Sequence, residues 1–118
     1  MSGKRNRTAG HNFEREIVNE LKAIGFPEAV TSRSESKNTD DKGIDVCNTP
    51  GYYFQCKNTL QNVNYHALIS EMPQEENIVN IIVHRKTKKA SVKFITQGDY
   101  VILKKSDFFA MLKEKLQQ

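Results

Sequence analysis

Apolar residues fall along the chain in segments of different period, and the changes of period predict the elements. Residues 1–9 are polar and basic without periodicity, which predicts a flexible arm. From Asn12 the period becomes helical: Phe13, Ile17, Leu21 and Ile24 share one face, Asn12 suits an N-cap and Gly25 supplies a stop. Residues 31–43 are polar and turn-rich, a loop. Two strand-like runs, Ile44–Cys47 and Tyr52–Lys57, flank the turn signal Asn48-Thr49-Pro50-Gly51. Tyr65, Leu68, Ile69 and Met72 mark a second helix that Pro73 ends, and the β-branched run Asn77–His84 reads as a strand buried on both faces. A basic turn, Arg85–Lys89, then leads to strands at Ser91–Thr96 and Tyr100–Leu103. Ser106 is expected to cap a last helix that buries Phe108, Phe109, Leu112 and Leu116. The order predicts one α/β (α+β) domain over residues 10–118, a mixed central sheet flanked by helices.

Composition narrows the class. A length of 118 residues suits one domain, and 37% hydrophobic residues suffice for one compact core. No apolar run approaches the ~18 residues of a membrane span, and the basic start leads into no apolar signal-peptide segment. Cys47 and Cys56 make neither a disulfide framework nor a zinc knuckle, so a reducing, cytoplasmic setting is expected, with both thiols free. His84 and His66 read as structural or solvated, and Tyr52, Tyr53 and Phe54 as packing.

Two places break the pattern in ways that point to chemistry. At about 100° per residue, Glu14 falls at about 100° from Phe13, between Leu21 at about 80° and Val18 at about 140°, and so turns toward the core. A carboxylate aimed there needs a partner, whereas one that only borders the stripe snorkels to water or pairs with a lysine. The second place is Asp41-Lys42-Gly43-Ile44-Asp45 followed by Gln55-Cys56-Lys57. A two-residue Pro50-Gly51 loop pairs Asp45 with Cys56. A three-residue Thr49-Pro50-Gly51 loop, which suits Pro-Gly better, pairs Asp45 with Gln55 at ~5 Å between Cβ atoms, with Lys57 one step along. An aspartate, an amide oxygen and a lysine on one patch suit a hard cation such as Mg²⁺. An exposed polar face on a two-stranded ribbon accounts for the same spacing.

These residues resemble the PD-(D/E)XK nuclease superfamily. The start Gly10…Phe13-Glu14-Arg15-Glu16 and the Ser/Arg-rich loop are similar to archaeal-type Holliday junction resolvases. Asp41…Gly43-Ile44-Asp45 and Gln55-Cys56-Lys57 look more like the Mrr-type restriction branch. The resemblance implies a restriction-endonuclease-like core in which Glu14, Asp45 and Gln55 bind Mg²⁺ (or Mn²⁺) and Lys57 acts beside the ion. It also places Ser34 or Ser36 near the scissile phosphate. Gln55 stands where a glutamate is usual, which implies weaker metal affinity or help from Asp41 or Asp40.

Charge adds a partner. Of the formal net +4, Lys4, Arg5 and Arg7 with Arg85, Lys86, Lys88 and Lys89 contribute seven positive charges, leaving −3 elsewhere. Two basic patches on an acidic body suit DNA, with Arg33 and Ser34 as further contacts. A solubilising tail and a solvated hairpin tip would show the same charges. The expected function is a Mg²⁺-dependent endodeoxyribonuclease on four-way or other branched DNA, working as a homodimer away from membranes. The alternatives are a catalytically inactive nucleic-acid-binding module and an Mrr-like or flap nuclease.

Overall fold

The computed structural model describes residues 3–35 and 42–118, with side chains from Arg7 onward except that of Glu35. The expectations for Ser36, Asp40 and Asp41, and for the side chains of Lys4 and Arg5, fall outside the described residues. The chain runs α1 (Gly3–Ile24), β1 (Val30–Thr31), α2 (Ser32–Glu35), β2 (Val46–Cys47), β3 (Tyr52–Thr59), α3 (Tyr65–Glu71), β4 (Val79–Ala90), β5 (Lys93–Ile102) and α4 (Lys105–Leu116). The five strands form one sheet in chain order. β3 and β4 are parallel and every other neighbouring pair is antiparallel, so the sheet is mixed and the protein α+β.

The β3–β4 register aligns Tyr52 with Val79 and continues in step to Thr59 with Lys86. Period-two alternation therefore sends Phe54, Cys56, Ile81 and Val83 to one face and Gln55, Lys57, Ile82 and His84 to the other. The first face packs on Phe13, Ile17, Val18 and Leu21 of α1 in a single core cluster with Val46. Each of those large side chains contributes about 1.5–3 kcal/mol by leaving water. α3 covers the second face, where Ile69, Met72 and Ile82 are buried. Its N-cap is Asn64, whose side chain accepts from the Ala67 amide at 3.2 Å, and its C-cap is Met72, directly before Pro73.

Several expectations change, among them the loop over residues 31–43, which opens instead with Thr31 of β1 and the short helix α2. α1 continues back to Gly3, so residues 3–9 are helical rather than an arm and Asn12 is not an N-cap; no proline interrupts the segment, and its exposed turns need no apolar stripe. Gly25 does end the helix, at φ 138°, with Phe26 N–H donating to Leu21 O at 2.9 Å. Ile24 is exposed, lining an apolar groove with Leu21 and Val101. Arg85–Lys89 belong to β4 rather than a turn, and β5 is one strand rather than two. The reversal comes at Ser91, in the left-handed region at φ 57°. α4 starts at Lys105, two residues earlier than a Ser106 cap implies, with Lys104 at the cap making no side-chain bond, and Phe108, Phe109, Leu112 and Leu116 are 45%, 57%, 42% and 83% exposed. α1 already covers that sheet face, leaving α4 beside the apolar groove that Met111 lines with Ile17, Leu21 and Val101. No helix among the described residues is long and apolar enough to cross a membrane.

The core assignment sets a contrast that chemical denaturation reads directly. Phe13→Ala, at a side chain 2% exposed, is expected to cost about 3–5 kcal/mol. Val92→Ser, at one 93% exposed, is expected to stay within about 0.5 kcal/mol of the parent.

Candidate active site

The turn before β3 determines how Asp45 meets Gln55. Thr49 and Tyr52 close it, Tyr52 N–H donating to Thr49 O at 3.0 Å and the Thr49 hydroxyl to Tyr52 O at 2.8 Å, while Gly51 takes φ 89°. Val46 pairs with Phe54, the register of the three-residue loop. Asp45 N–H donates to Phe54 O at 2.8 Å, and Cys56 N–H donates to Asp45 Oδ2 at 2.8 Å. Asp45 thereby grips the residues on either side of Gln55. On its other flank, the fully buried Ser32 donates its N–H to Asp45 O at 2.9 Å and its hydroxyl to Ile44 O.

Gln55 is 8% exposed, and its Oε1 is buried without a hydrogen-bond partner among the described residues. Asn80 Oδ1 shares that state, though its amide nitrogen is anchored to Pro73 O at 2.9 Å. An unpaired buried amide oxygen costs about 1–3 kcal/mol. The Gln55 nitrogen lies against Gly43: a Cβ there would stand 3.1 Å from Nε2, and Gly43 holds φ +81°. The backbone is thus bare where the amide rests.

Glu14 is buried, as its helical angle predicts, but its partner is an arginine rather than a lysine. Arg33 Nε donates to Glu14 Oε1 at 3.0 Å. Glu14 comes from the α1 side of β3, whereas Gln55 and Lys57 belong to the opposite side. Cys56 lies between: burial pushes its thiol well above the ordinary range, and the Asp45 and Glu14 charges push it further, so it stays protonated. Asp45 thus meets β3 at the Cys56 N–H, whereas Glu14 acts on the thiol only through its charge, from the α1 side. Neither cysteine is in a disulfide; Val46 and Cys56 share the α1 face, so Cys47 belongs to the other.

Lys57 is half-buried and forms no ion pair among the described residues. Its partner across the parallel ladder is His84. His84 Nε2 lies 2.8 Å from Thr59 Oγ1, and the Thr59 hydroxyl donates to Gln61 O. A hydroxyl has one hydrogen, so His84 donates from Nε2 and carries its neutral-form proton there. Burial first, then the Lys86 charge, holds the ring below its usual range.

The residues expected to touch DNA divide into two groups. Arg33 is occupied by Glu14, and Ser34 donates to Thr31 O at 2.8 Å. Arg85 reaches Glu16 and Asp99, each at 2.7 Å, and its guanidinium lies 4.6 Å from the Phe13 ring centre. Lys86 donates to Gln97 Oε1 at 2.9 Å. Arg7, Lys88 and Lys89 are exposed. The Glu14–Arg33 pair and the Thr59–His84 contact escaped sequence reasoning; a buried acid announces that it needs a cation, without saying which.

Among the described residues no group of three or more His, Cys, Asp and Glu side chains is placed to hold a metal ion. Glu14, Asp45 and Gln55 supply two carboxylates and an amide, a set whose third oxygen comes from the orphaned Oε1. No family model, curated protein or solved structure matches the chain.

Two measurements check this geometry. Gly43→Ala must strain a left-handed residue and press on the Gln55 amide, with an expected loss of about 1–3 kcal/mol in urea unfolding. His84 is harder to protonate folded than unfolded, so its contribution to stability is present above its ordinary value of 6.5 and is lost as pH falls below it. The unfolding midpoint should drop between pH 7.5 and 5.5, and His84→Gln should flatten that drop.

Proposed function

We propose that this chain is a divalent-metal-dependent endodeoxyribonuclease acting on branched DNA, built on a restriction-endonuclease-like core. The mixed sheet flanked by helices is compatible with that core. The observation that carries the reading is the buried, unpartnered Gln55 Oε1 beside a carboxylate held in place by β3. An oxygen in that state is satisfied by a cation, and Mg²⁺ takes oxygen ligands while keeping several waters. Asp45 and Gln55 would hold the ion from one face of β3, with Glu14 completing the set from the α1 side, and Mn²⁺ could replace it.

An ion bound there supplies charge neutralisation at a scissile phosphate and a more acidic bound water. The chain's own groups do the rest. Lys57, a cation without an internal counterion among the described residues, faces the phosphate and offsets the charge that develops on its oxygens. Arg33 orients Glu14, leaving that carboxylate one hydrogen-bonded oxygen and one for other use. The amide at position 55 removes a negative charge relative to a glutamate, so weaker metal affinity is expected. Nicking two strands of a junction symmetrically asks for a two-fold dimer. The uncovered apolar face of α4 is one that a second copy would cover.

Cleavage of a labelled four-way junction in Mg²⁺ tests the reading. Paired nicks are expected from the parent, with losses on the order of 100-fold or more in Asp45→Ala and Lys57→Ala. Gln55→Glu should lower the Mg²⁺ concentration needed for half-maximal rate. Junction binding without cleavage in either Mg²⁺ or Mn²⁺ would overturn the nuclease and leave an inactive binding module. Faster cleavage of flaps or linear ends than of junctions would reassign the substrate.

A further inference from the structure

β3 last pairs with β4 at Thr59 and Lys86. Beyond a bulge between Lys86 and Thr87, residues Thr87–Ala90 pair with Lys93–Thr96 alone, as a two-stranded ribbon. Four residues at ~3.3 Å each carry it about 13 Å past the third strand. Lys88, Lys89 and Lys93 lie on it, form no ion pair among the described residues, and have no Asp or Glu between Thr87 and Gly98. The register puts Lys88 opposite Ile95 and Lys89 opposite Phe94, so Lys88 and Lys93 share one face and Lys89 takes the other. Val92 at the tip is 93% exposed and Phe94 is 40% exposed.

Lysines alone would serve to keep a ribbon from pairing with other strands. Exposed Val92 and Phe94 work against that purpose, and the combination of basic flanks with an apolar tip asks for an occupant. We infer that the ribbon enters the major groove of the DNA held at the candidate site. That groove, about 12 Å wide and about 8.5 Å deep, admits a two-stranded ribbon, and the ribbon's reach exceeds the depth. Lysines on opposite faces meet phosphates on opposite walls, while Val92 and Phe94 come to the base edges, where thymine methyl groups offer apolar contact. Position agrees with charge: Lys57 pairs with His84, four residues before Lys88, so the ribbon leaves the sheet on the Lys57 end, about 13 Å along the strand. The inference rests on the DNA reading above and is independent of metal chemistry.

The test measures binding in EDTA, where no cleavage occurs, to a fluorescent junction and a duplex. A ribbon triple variant (Lys88→Ser, Lys89→Ser, Lys93→Ser) is compared with a charge-matched triple on α4 (Lys105→Ser, Lys113→Ser, Lys115→Ser). The ribbon triple is expected to bind at least 10-fold more weakly and to lose about two to three units of salt slope, while the control stays within about two-fold. Bound parent protein should shield guanine N7 from methylation in one tract, and the ribbon triple should not. Lys89→Glu alone should weaken binding in the same direction, which covers any folding defect in the triple. Equal weakening by both triples, no weakening by either, or unshielded guanine N7 overturns the inference. Preference for anionic lipid vesicles over DNA does so too. Undiminished junction cleavage by the ribbon triple removes the ribbon and leaves the nuclease; loss of Mg²⁺ cleavage in the parent with binding intact removes the nuclease and leaves the ribbon.

Discussion

A parallel ladder, Tyr52–Thr59 against Val79–Lys86, constrains everything around it. Parallel strands cannot be joined by a tight turn, so the chain must cross over one face between Thr59 and Val79, and α3 lies in that crossover. α1 takes the opposite face. With both faces covered, every side chain of β4 from Asn80 to His84 is buried, which is why Ile81, Ile82 and Val83 follow one another without a polar break. It is also why polar residues on those strands need internal partners. Asn80 finds the Pro73 carbonyl and His84 finds Thr59, whereas Gln55 keeps one oxygen unsatisfied.

The chain's local signals predicted what local chemistry decides. Thr49-Pro50-Gly51 set the hairpin register, because turn length and the conformations open to Pro-Gly leave few options, and Val46 pairs with Phe54 as that loop requires. The inward aim of Glu14 followed from helical angle alone. The failures lie where tertiary context decides. Helical period shows that Phe108, Phe109 and Leu112 sit on a common side of α4, but it cannot say whether any layer remains free to cover them, and α1 already occupies the sheet. Arg85–Lys89 looked like a turn by polarity; strand pairing with Phe94, Thr96 and Asp99 extends it, since β structure asks for a partner strand more than for apolar residues. The arginine that meets Glu14 is nineteen positions away and belongs to a segment with no periodic signal.

Electrostatics divides the basic residues in a way that net charge conceals. Arg85 and Arg33 serve the fold: one is clamped between Glu16 and Asp99 over the Phe13 ring, which raises its affinity for the proton and lowers that of Asp99, and the other neutralises Glu14. Of the described cations expected to touch DNA, Arg7, Lys88 and Lys89 form no ion pair, and Lys57 and Lys93 join them. The seven charges counted as two patches are thus fewer in effect and more sharply placed, with Lys88 and Lys89 on an extension that leaves the sheet on the side of Lys57.

Folding alone does not call for the polar features around Asp45. A buried acid such as Glu14, held by an arginine whose side chain is 32% exposed, can often be replaced by a packed apolar residue with no loss of stability. An orphaned amide oxygen is a standing cost, and a left-handed Gly43 beneath that amide spends backbone entropy to make room for it. A methionine at position 55 and a leucine at position 14 would relieve the first two without disturbing the ladder, because neither side chain takes part in backbone pairing. Hydrogen bonds tie the segments around Asp45 to one another, Ser32 to Asp45 and Asp45 to Cys56, and the proposed cation site would account for the costs together: a cation would satisfy the amide oxygen and take up the charge of the carboxylate beside it.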